Sequence, residues 1–290
     1  MPDFLLHLHL SYAISGLVGG FLVGLTGVGG GSLMTPLLVL LFGIAPSTAV
    51  GTDLLYAAIT KASGVPVHAR KRHIDWRATR LLAYGSLPSA GLTLLAMQQL
   101  HPGKAFEDLL KTAVGIALVV TALAILWRAS RRGILRFVTD DSEVAPLAGA
   151  QAAIAQDPSA APADAAELAA THHPVLATVV VGAVLGVLVT VSSIGAGAIG
   201  TVALVFLYPR FPVTRIVGTD IAHAVPLTFV AGLGHLMLGH VNLALLINLL
   251  IGSIPGIWLG SHASAGLSER WSRPILATLL LAVSVKMIAH

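Results

Sequence analysis

Two aspartates are the first residues of this sequence that demand a chemical explanation. Of 13 acidic residues, only Asp53 and Asp220 lie well inside apolar stretches, and each closes a Gly-Thr-Asp triplet, Gly51-Thr52-Asp53 and Gly218-Thr219-Asp220. An ionised carboxylate in the middle of a bilayer costs about 2.5–3.5 kcal/mol on insertion scales. Carboxylates kept in that setting take up a proton, hold a coupling ion or serve a partner. A carboxylate repels anions, so this pair suits proton or sodium coupling, with Thr52, Thr219 and His223 beside it. His223 follows Asp220 by three residues, which puts it on a neighbouring helix face. A structural role competes: each aspartate lies within about two turns of a helix start, where the dipole and a Thr hydroxyl stabilise negative charge.

Two glycine-rich corners form the second candidate. Gly27-Val28-Gly29-Gly30-Gly31-Ser32 and Ser193-Ile194-Gly195-Ala196-Gly197 each precede a short apolar stretch. Residues without side chains at a helix break let backbone N–H groups approach an anion, and the helix that follows adds its positive end. Gly27, Gly29, Gly30, Gly31 and Ser32 on one side, with Ser193, Gly195 and Gly197 on the other, could cradle one small oxyanion. The competing role is close helix crossing, for which small residues serve in bilayers. Irregular backbone at membrane depth is tolerated where it lines a cavity, which favours binding.

Other groups read more plainly. Lys61 is the Lys or Arg residue that lies furthest inside an apolar span, and its place towards the cytoplasmic end suits snorkelling of its stem to the interface. Among 12 histidines, His68, His73, His235 and His240 fall at span ends, where solvated or backbone-bonded imidazoles are the rule. Ser192 and Ser193 with His223 and His235 evoke a serine hydrolase but lack a Gly-x-Ser-x-Gly elbow. Cysteine is absent, and no His/Asp/Glu grouping has metal-ligand spacing, so neither cofactor nor metal is expected.

The elements that must position these residues are membrane helices. The 290 residues are 56% apolar and 10% charged, and the mean hydropathy is +0.86. So few charges cannot cover a soluble globule of this size. Ten apolar stretches fall at 4–26, 29–45, 47–67, 79–100, 107–128, 174–193, 195–211, 214–238, 241–262 and 271–289. At about 20 residues per span these predict an all-α, polytopic transmembrane bundle, with 29–45 and 195–211 short enough to be broken or re-entrant. The start Met1-Pro2-Asp3-Phe4 has no basic n-region of a signal peptide. Residues 129–173 are the only long polar stretch and read as a cytoplasmic linker, with a weak helix around 161–171.

The flanking regions, 1–128 and 174–290, repeat each other. At a shift of 167, Gly51-Thr52-Asp53 meets Gly218-Thr219-Asp220, His68 meets His235, His73 meets His240, Asp75 meets Asn242, and Gly85…Pro88 meets Gly252…Pro255. At a shift of 166, Gly29-Gly30-Gly31 faces Gly195-Ala196-Gly197. Arg70, Lys71, Arg72, Arg77 and Arg80 make the third connection cytoplasmic by the positive-inside rule. Threading ten spans from there brings Arg128, Arg131, Arg132, Arg136, Arg210, Arg215, Arg270 and Arg273 to the same side, which accounts for 13 of 17 basic residues. The net charge of +4 is thereby a topology signal and implies no nucleic acid. Five spans per copy turn the second copy upside down, the inverted-repeat plan of secondary transporters with a site between the repeats.

The run Leu25-Thr26-Gly27-Val28-Gly29-Gly30-Gly31-Ser32, then Pro36, Pro46, Ala49-Val50-Gly51-Thr52 and Gly85…Pro88, resembles the TauE/SafE sulfite exporter family, the TSUP transporters. The resemblance covers both apolar halves and excludes the linker. It implies a permease for sulfur-containing anions such as sulfite or organosulfonates, often an exporter, in the bacterial cytoplasmic (inner) membrane. Two departures stand out: the second corner has Ser193 and Ala196 within its glycines, and both triplets carry Asp where relatives often have a small neutral residue. The expected activity is ion-coupled, alternating-access export by a monomer or homodimer in contact with lipid. The alternatives are a membrane-embedded enzyme on phosphorylated or lipid-linked substrates, and a passive anion channel.

Overall fold

A computed structural model of the chain describes residues 10–26, 31–99, 103–138, 174–195, 197–264 and a few positions between 278 and 286. Among the described residues every regular element is a helix: α1 (Leu10–Thr26), α2 (Gly31–Phe42), α3 (Pro46–Ala62), α4 (Val65–Arg70), α5 (Trp76–Gln99), α6 (Lys104–Val138), α7 (Val175–Ser192), α8 (Ala198–Leu207), α9 (Val213–Met237) and α10 (Leu243–Ser264). Gly27, Gly29 and Gly30, the expected helix at 161–171, Arg270, Arg273 and most of the expected last span lie outside the described residues.

The two short stretches are half-length helices. α2 has 12 residues and α8 has 10, about 18 and 15 Å at 1.5 Å per residue, roughly half of a bilayer core. Stretches 29–45 and 195–211 therefore do not span as single helices. The third stretch also differs, because Ser63 and Gly64 break it into α3 and α4, whereas its counterpart α9 runs unbroken. α6 extends ten residues past the expected 128, carrying Arg128–Arg136 as helix.

Local chemistry sets these ends. Gly43, at φ +62°, closes α2 while the Ile44 N–H reaches back to the Leu38 carbonyl, and Pro46 opens α3 with its preset φ. α7 stops at Ser193, in the left-handed region at φ 59°, its N–H on the Val189 carbonyl. Gly195 and Gly197 follow at φ 124° and 148°, conformations in which a Cβ is strained.

α1 packs along α10, α5 along α7, and α3 crosses α9. These contacts come in pairs. Gly16 of α1 meets the backbone of Leu249 on α10, and Gly182 of α7 meets the backbone of Leu82 on α5. Gly252 of α10 meets Ala13, and Gly85 of α5 meets Val179. In each case the partners of one contact are shifted by 166 or 167 from those of the other. The core beneath the crossing joins Val50 and Leu54 of α3 to Val114 and Leu118 of α6, Val189 of α7, and Ala224 and Leu227 of α9. Outside, large apolar side chains such as Leu92, Ile116, Leu123, Val184, Ile254 and Leu259 stand exposed, a surface suited to lipid. α7 and α9 are each long and apolar enough to cross a membrane.

Candidate functional site

Asp53 sits on the buried face of α3, with no exposed surface. Its Oδ2 accepts hydrogen bonds from Thr35 Oγ1 on α2 at 2.7 Å and from Ser193 Oγ at 2.9 Å. Its Oδ1 is buried and has no partner. Ser193 belongs to the second glycine corner, 140 residues away in sequence. One residue expected to touch substrate and one expected to govern coupling are thus a single hydrogen-bonded unit, built from both halves. Thr35 was missed by sequence reading, although its place one turn into the helix after a glycine corner was a usable signal.

Asp220 is also buried, and its Oδ1 lies against Gly200, where any Cβ would collide with it. It therefore rests at the start of α8, just past the corner containing Gly195 and Gly197. Lys61 is buried and interacts electrostatically with Asp220 first and Asp53 second. Snorkelling to an interface, the expectation from sequence, is not what this lysine does, since it is buried within the protein. His223 is buried too, with Nε2 2.8 Å from Ser86 Oγ on α5 and within electrostatic reach of Lys61. Tyr56, at the position equivalent to His223, brings its hydroxyl near Ser253, the equivalent of Ser86.

Thr52 and Thr219 do not reach into this cluster. Thr52 Oγ1 accepts the Asn242 N–H at 3.1 Å, and Thr219 Oγ1 accepts the Asp75 N–H at 2.9 Å. Asn242 and Asp75 in turn cap α10 and α5, their Oδ1 atoms taking the N–H groups of Leu245 and Ala78. Each Thr therefore pins the start of a helix from the other half, one residue from a buried aspartate. Directly before them, Gly51 faces the His240 carbonyl and Gly218 the His73 carbonyl, too close for a side chain at either.

The paired histidines lie at the ends of these crossings. The rings of His68 and His73 are 5.9 Å apart, and those of His235 and His240 are 5.4 Å apart. Burial pushes the His240 imidazole below its ordinary range, with Glu107 acting against it. His68 is pushed down by burial, then by His73 and Lys71. Ser192 Oγ is spent locally on the Leu188 carbonyl and the Ile194 N–H, so it offers no free nucleophile. Among the described residues no group of three His, Asp or Glu is placed to hold a metal. Gly31 and Ser32 open α2, whereas Gly27, Gly29 and Gly30 are not among the described residues.

A build that is helical throughout the described residues, apolar outside and with buried carboxylates beside half-length helices, is that of an integral membrane transporter. The chain matches the family described as Sulfite exporter TauE/SafE over residues 12–287, and it belongs to that family. It is 38% identical over 283 residues, 96% of this chain and 99% of the relative, to the probable membrane transporter protein YjnA of Bacillus subtilis. It is 26% identical to YdhB of the same organism, covering 83% of this chain and 84% of that one. YunE is 22% identical, covering 94% and 93%. Both are also named probable membrane transporter proteins. No solved structure matches it.

Proposed function

We propose that this chain is a secondary transporter, working mainly as an exporter, of small sulfur-containing anions such as sulfite or organosulfonates. Residues 1–128 and 174–290 act as inverted repeats joined by the cytoplasmic linker 129–173, in the bacterial inner membrane. The anion is held at the glycine corners, and the buried Asp53 and Asp220 carboxylates govern a coupling proton or sodium ion. The single observation that carries this reading is the hydrogen bond from Ser193 to Asp53, which joins a glycine corner of one half to a buried carboxylate of the other.

The inverted plan is supported by the reciprocal contacts. Thr52 with Asn242 and Thr219 with Asp75 are one contact made twice with the halves exchanged, the mark of a two-fold relation. The charges support the inversion: the connection after His68 carries Arg70, Lys71 and Arg72, whereas the equivalent Met237-Leu238-Gly239 carries no Lys or Arg. The substrate class is supported by the family to which the chain belongs. α2 begins at Gly31 and α8 at Ala198, each directly after a glycine corner, and a helix start turns its positive end towards an oxyanion.

Flux into proteoliposomes tests it, with sulfite, a sulfonate, thiosulfate, sulfate and phosphate offered under separately imposed pH and sodium gradients. Sulfite or sulfonate flux that responds to one gradient is the expected result. Equal leakage of all five, insensitive to both gradients, would identify a channel and overturn the carrier. Single cysteines placed at His73 and His240 in this cysteine-free chain should label from opposite sides; labelling from one side rejects the inversion.

A further inference from the structure

Two polar atoms on one face of α3 are buried and unused. Asp53 and Tyr56 are three residues apart, so their side chains are neighbours on the helix, with Cβ atoms about 5–6 Å apart. Neither residue has exposed surface. Asp53 Oδ2 is taken by the Thr35 and Ser193 hydroxyls. Asp53 Oδ1 and the Tyr56 hydroxyl have no hydrogen-bond partner among the described residues. In the other half the equivalent place is closed: His223 stands where Tyr56 does, and its Nε2 lies 2.8 Å from Ser86 Oγ. Ser253, the equivalent of Ser86, comes near the Tyr56 hydroxyl but gives its own proton to the Leu250 carbonyl at 3.3 Å. A buried donor left unpaired is expensive, which argues that a ligand completes it.

We propose that Asp53 Oδ1, once protonated, and the Tyr56 hydroxyl together donate hydrogen bonds to the oxyanion, so that the ion coupled to transport is a proton. This deepens the transporter reading and rests on it. Ser193 ties Asp53 to the glycine corner that holds the anion in that reading, so the two contacts belong to one site. An ionised carboxylate only accepts hydrogen bonds and repels an anion, whereas a protonated one carries an O–H donor. Oδ1 is the oxygen free to take the proton, because Oδ2 already receives two hydroxyl hydrogens. The phenol of Tyr56 supplies the second donor. One proton therefore turns a repelling group into half of a two-donor fork. A sodium ion at Oδ1 would cancel the charge and supply no hydrogen. A proton and a monoanion add no net charge to the site, which avoids an uncompensated charge where the dielectric is low. Each must favour the binding of the other to the same degree. The two then cross together, and the sum of their gradients sets the direction.

The titratable neighbours of the pair come from several elements. Lys61, on α3 itself, acts on Asp53. From α9 come Asp220 and His223, both within electrostatic reach of Lys61, and His235, whose Cβ lies against Gly51. α6 brings Glu107, which accepts both hydrogen bonds of Ser47 at the start of α3. α4 carries His68 and Arg70 beyond the other end of α3. α10 faces Tyr56 with Ser253 and has His262 in its last turn. α2 and α7 carry no titratable side chain. None of these groups is a hydrogen-bond partner of Asp53 Oδ1 or of the Tyr56 hydroxyl.

Equilibrium binding to the purified full-length protein tests the pair. Radiolabelled sulfite, methanesulfonate, thiosulfate, sulfate and phosphate are titrated across a pH series with and without sodium, and proton uptake is followed as they bind. Methanesulfonate has no titrating proton of its own near neutrality, so any pH dependence of its binding belongs to the protein. Wild-type affinity should fall about tenfold per pH unit once Asp53 is ionised in the free protein, with one proton taken up per anion and no response to sodium. Tyr56→Phe removes only a hydroxyl without a partner. It should unfold at the wild-type temperature or above, keep the pH slope, and bind the anion about tenfold more weakly. Asp53→Asn, whose amide N–H stands in for the acid O–H, should bind the anion with neither slope nor proton uptake. Should Asp53→Asn fail to fold, Tyr56→Phe and the wild-type proton count decide. Unchanged affinity in Tyr56→Phe overturns the proposal and leaves the two atoms as a site for water. Sodium-dependent binding without proton uptake overturns it too, as does proton uptake that persists in Asp53→Asn. Those outcomes leave a protein that binds the anion, so the transporter reading outlives them. Binding of none of the five anions overturns both.

Discussion

At one crossing of the molecule, Gly218 lies against the His73 carbonyl and Thr219 holds the N–H of Asp75; at the other, Gly51 lies against the His240 carbonyl and Thr52 holds the N–H of Asn242. The backbone arrangement is the same, down to a left-handed residue in each turn, Arg72 at φ 54° and Gly239 at φ 77°. The charges are not. Asp75 Oδ2 takes a 2.7 Å ion pair from Arg215, which also stacks over Phe211 at 4.7 Å. Asn242 is neutral, and Thr48 stands where Arg215 would be. The second crossing is secured differently, by Glu107, whose carboxylate oxygens accept the Ser47 hydroxyl at 2.6 Å and its N–H at 3.0 Å. The two joints are alike in backbone, and side chains make one an ionic latch across the halves and the other a capped helix start. In the carrier proposed above, joints of one geometry and unequal chemistry would let each end open at its own cost.

The largest effect should come from filling the shared contact. Gly51→Leu and Gly218→Leu both force a side chain against a carbonyl that cannot move aside, and each should destabilise the protein by about 3 kcal/mol or more. Thermal unfolding in detergent would show equal losses if the joints are equivalent, and a loss at one alone would break the comparison. Next come Thr52→Val and Thr219→Val, which strand one backbone N–H each and should cost about 1–2 kcal/mol apiece. Smallest is the latch itself. Arg215→Thr copies the other crossing and should cost about 1 kcal/mol, because the guanidinium is partly solvated. High salt should shrink that difference, and should leave the two Thr→Val variants as they were.

Much of the architecture was legible in the sequence because bilayer helices leave a coarse signal. Apolar runs, the spacing of Lys and Arg, and the repeat shifts of 166 and 167 marked out most of the helices later found. Asp53 and Asp220 were legible for the same reason, as carboxylates where none belong. Less could be read of the helix ends. The break at Ser63–Gly64 separates α3 from α4, although the repeat itself suggests a continuous helix like α9. Thr35 gave no periodic signal, and Lys61 was misjudged as an interfacial lysine. Both acquire their meaning from partners far along the chain.

Composition and order alone determined that this chain suits lipid, that its charged residues are few, and where matching residues recur at shifts of 166 and 167. Hydrophobicity and recurrence are properties of the string, and they survive any folding. That Asp53 meets the hydroxyls of Thr35 and Ser193 was decided only when α2, α3 and the corner at Ser193 came together. Buried charge is stabilised by its neighbours within a few ångströms, and those neighbours are chosen by tertiary packing rather than by position in the sequence.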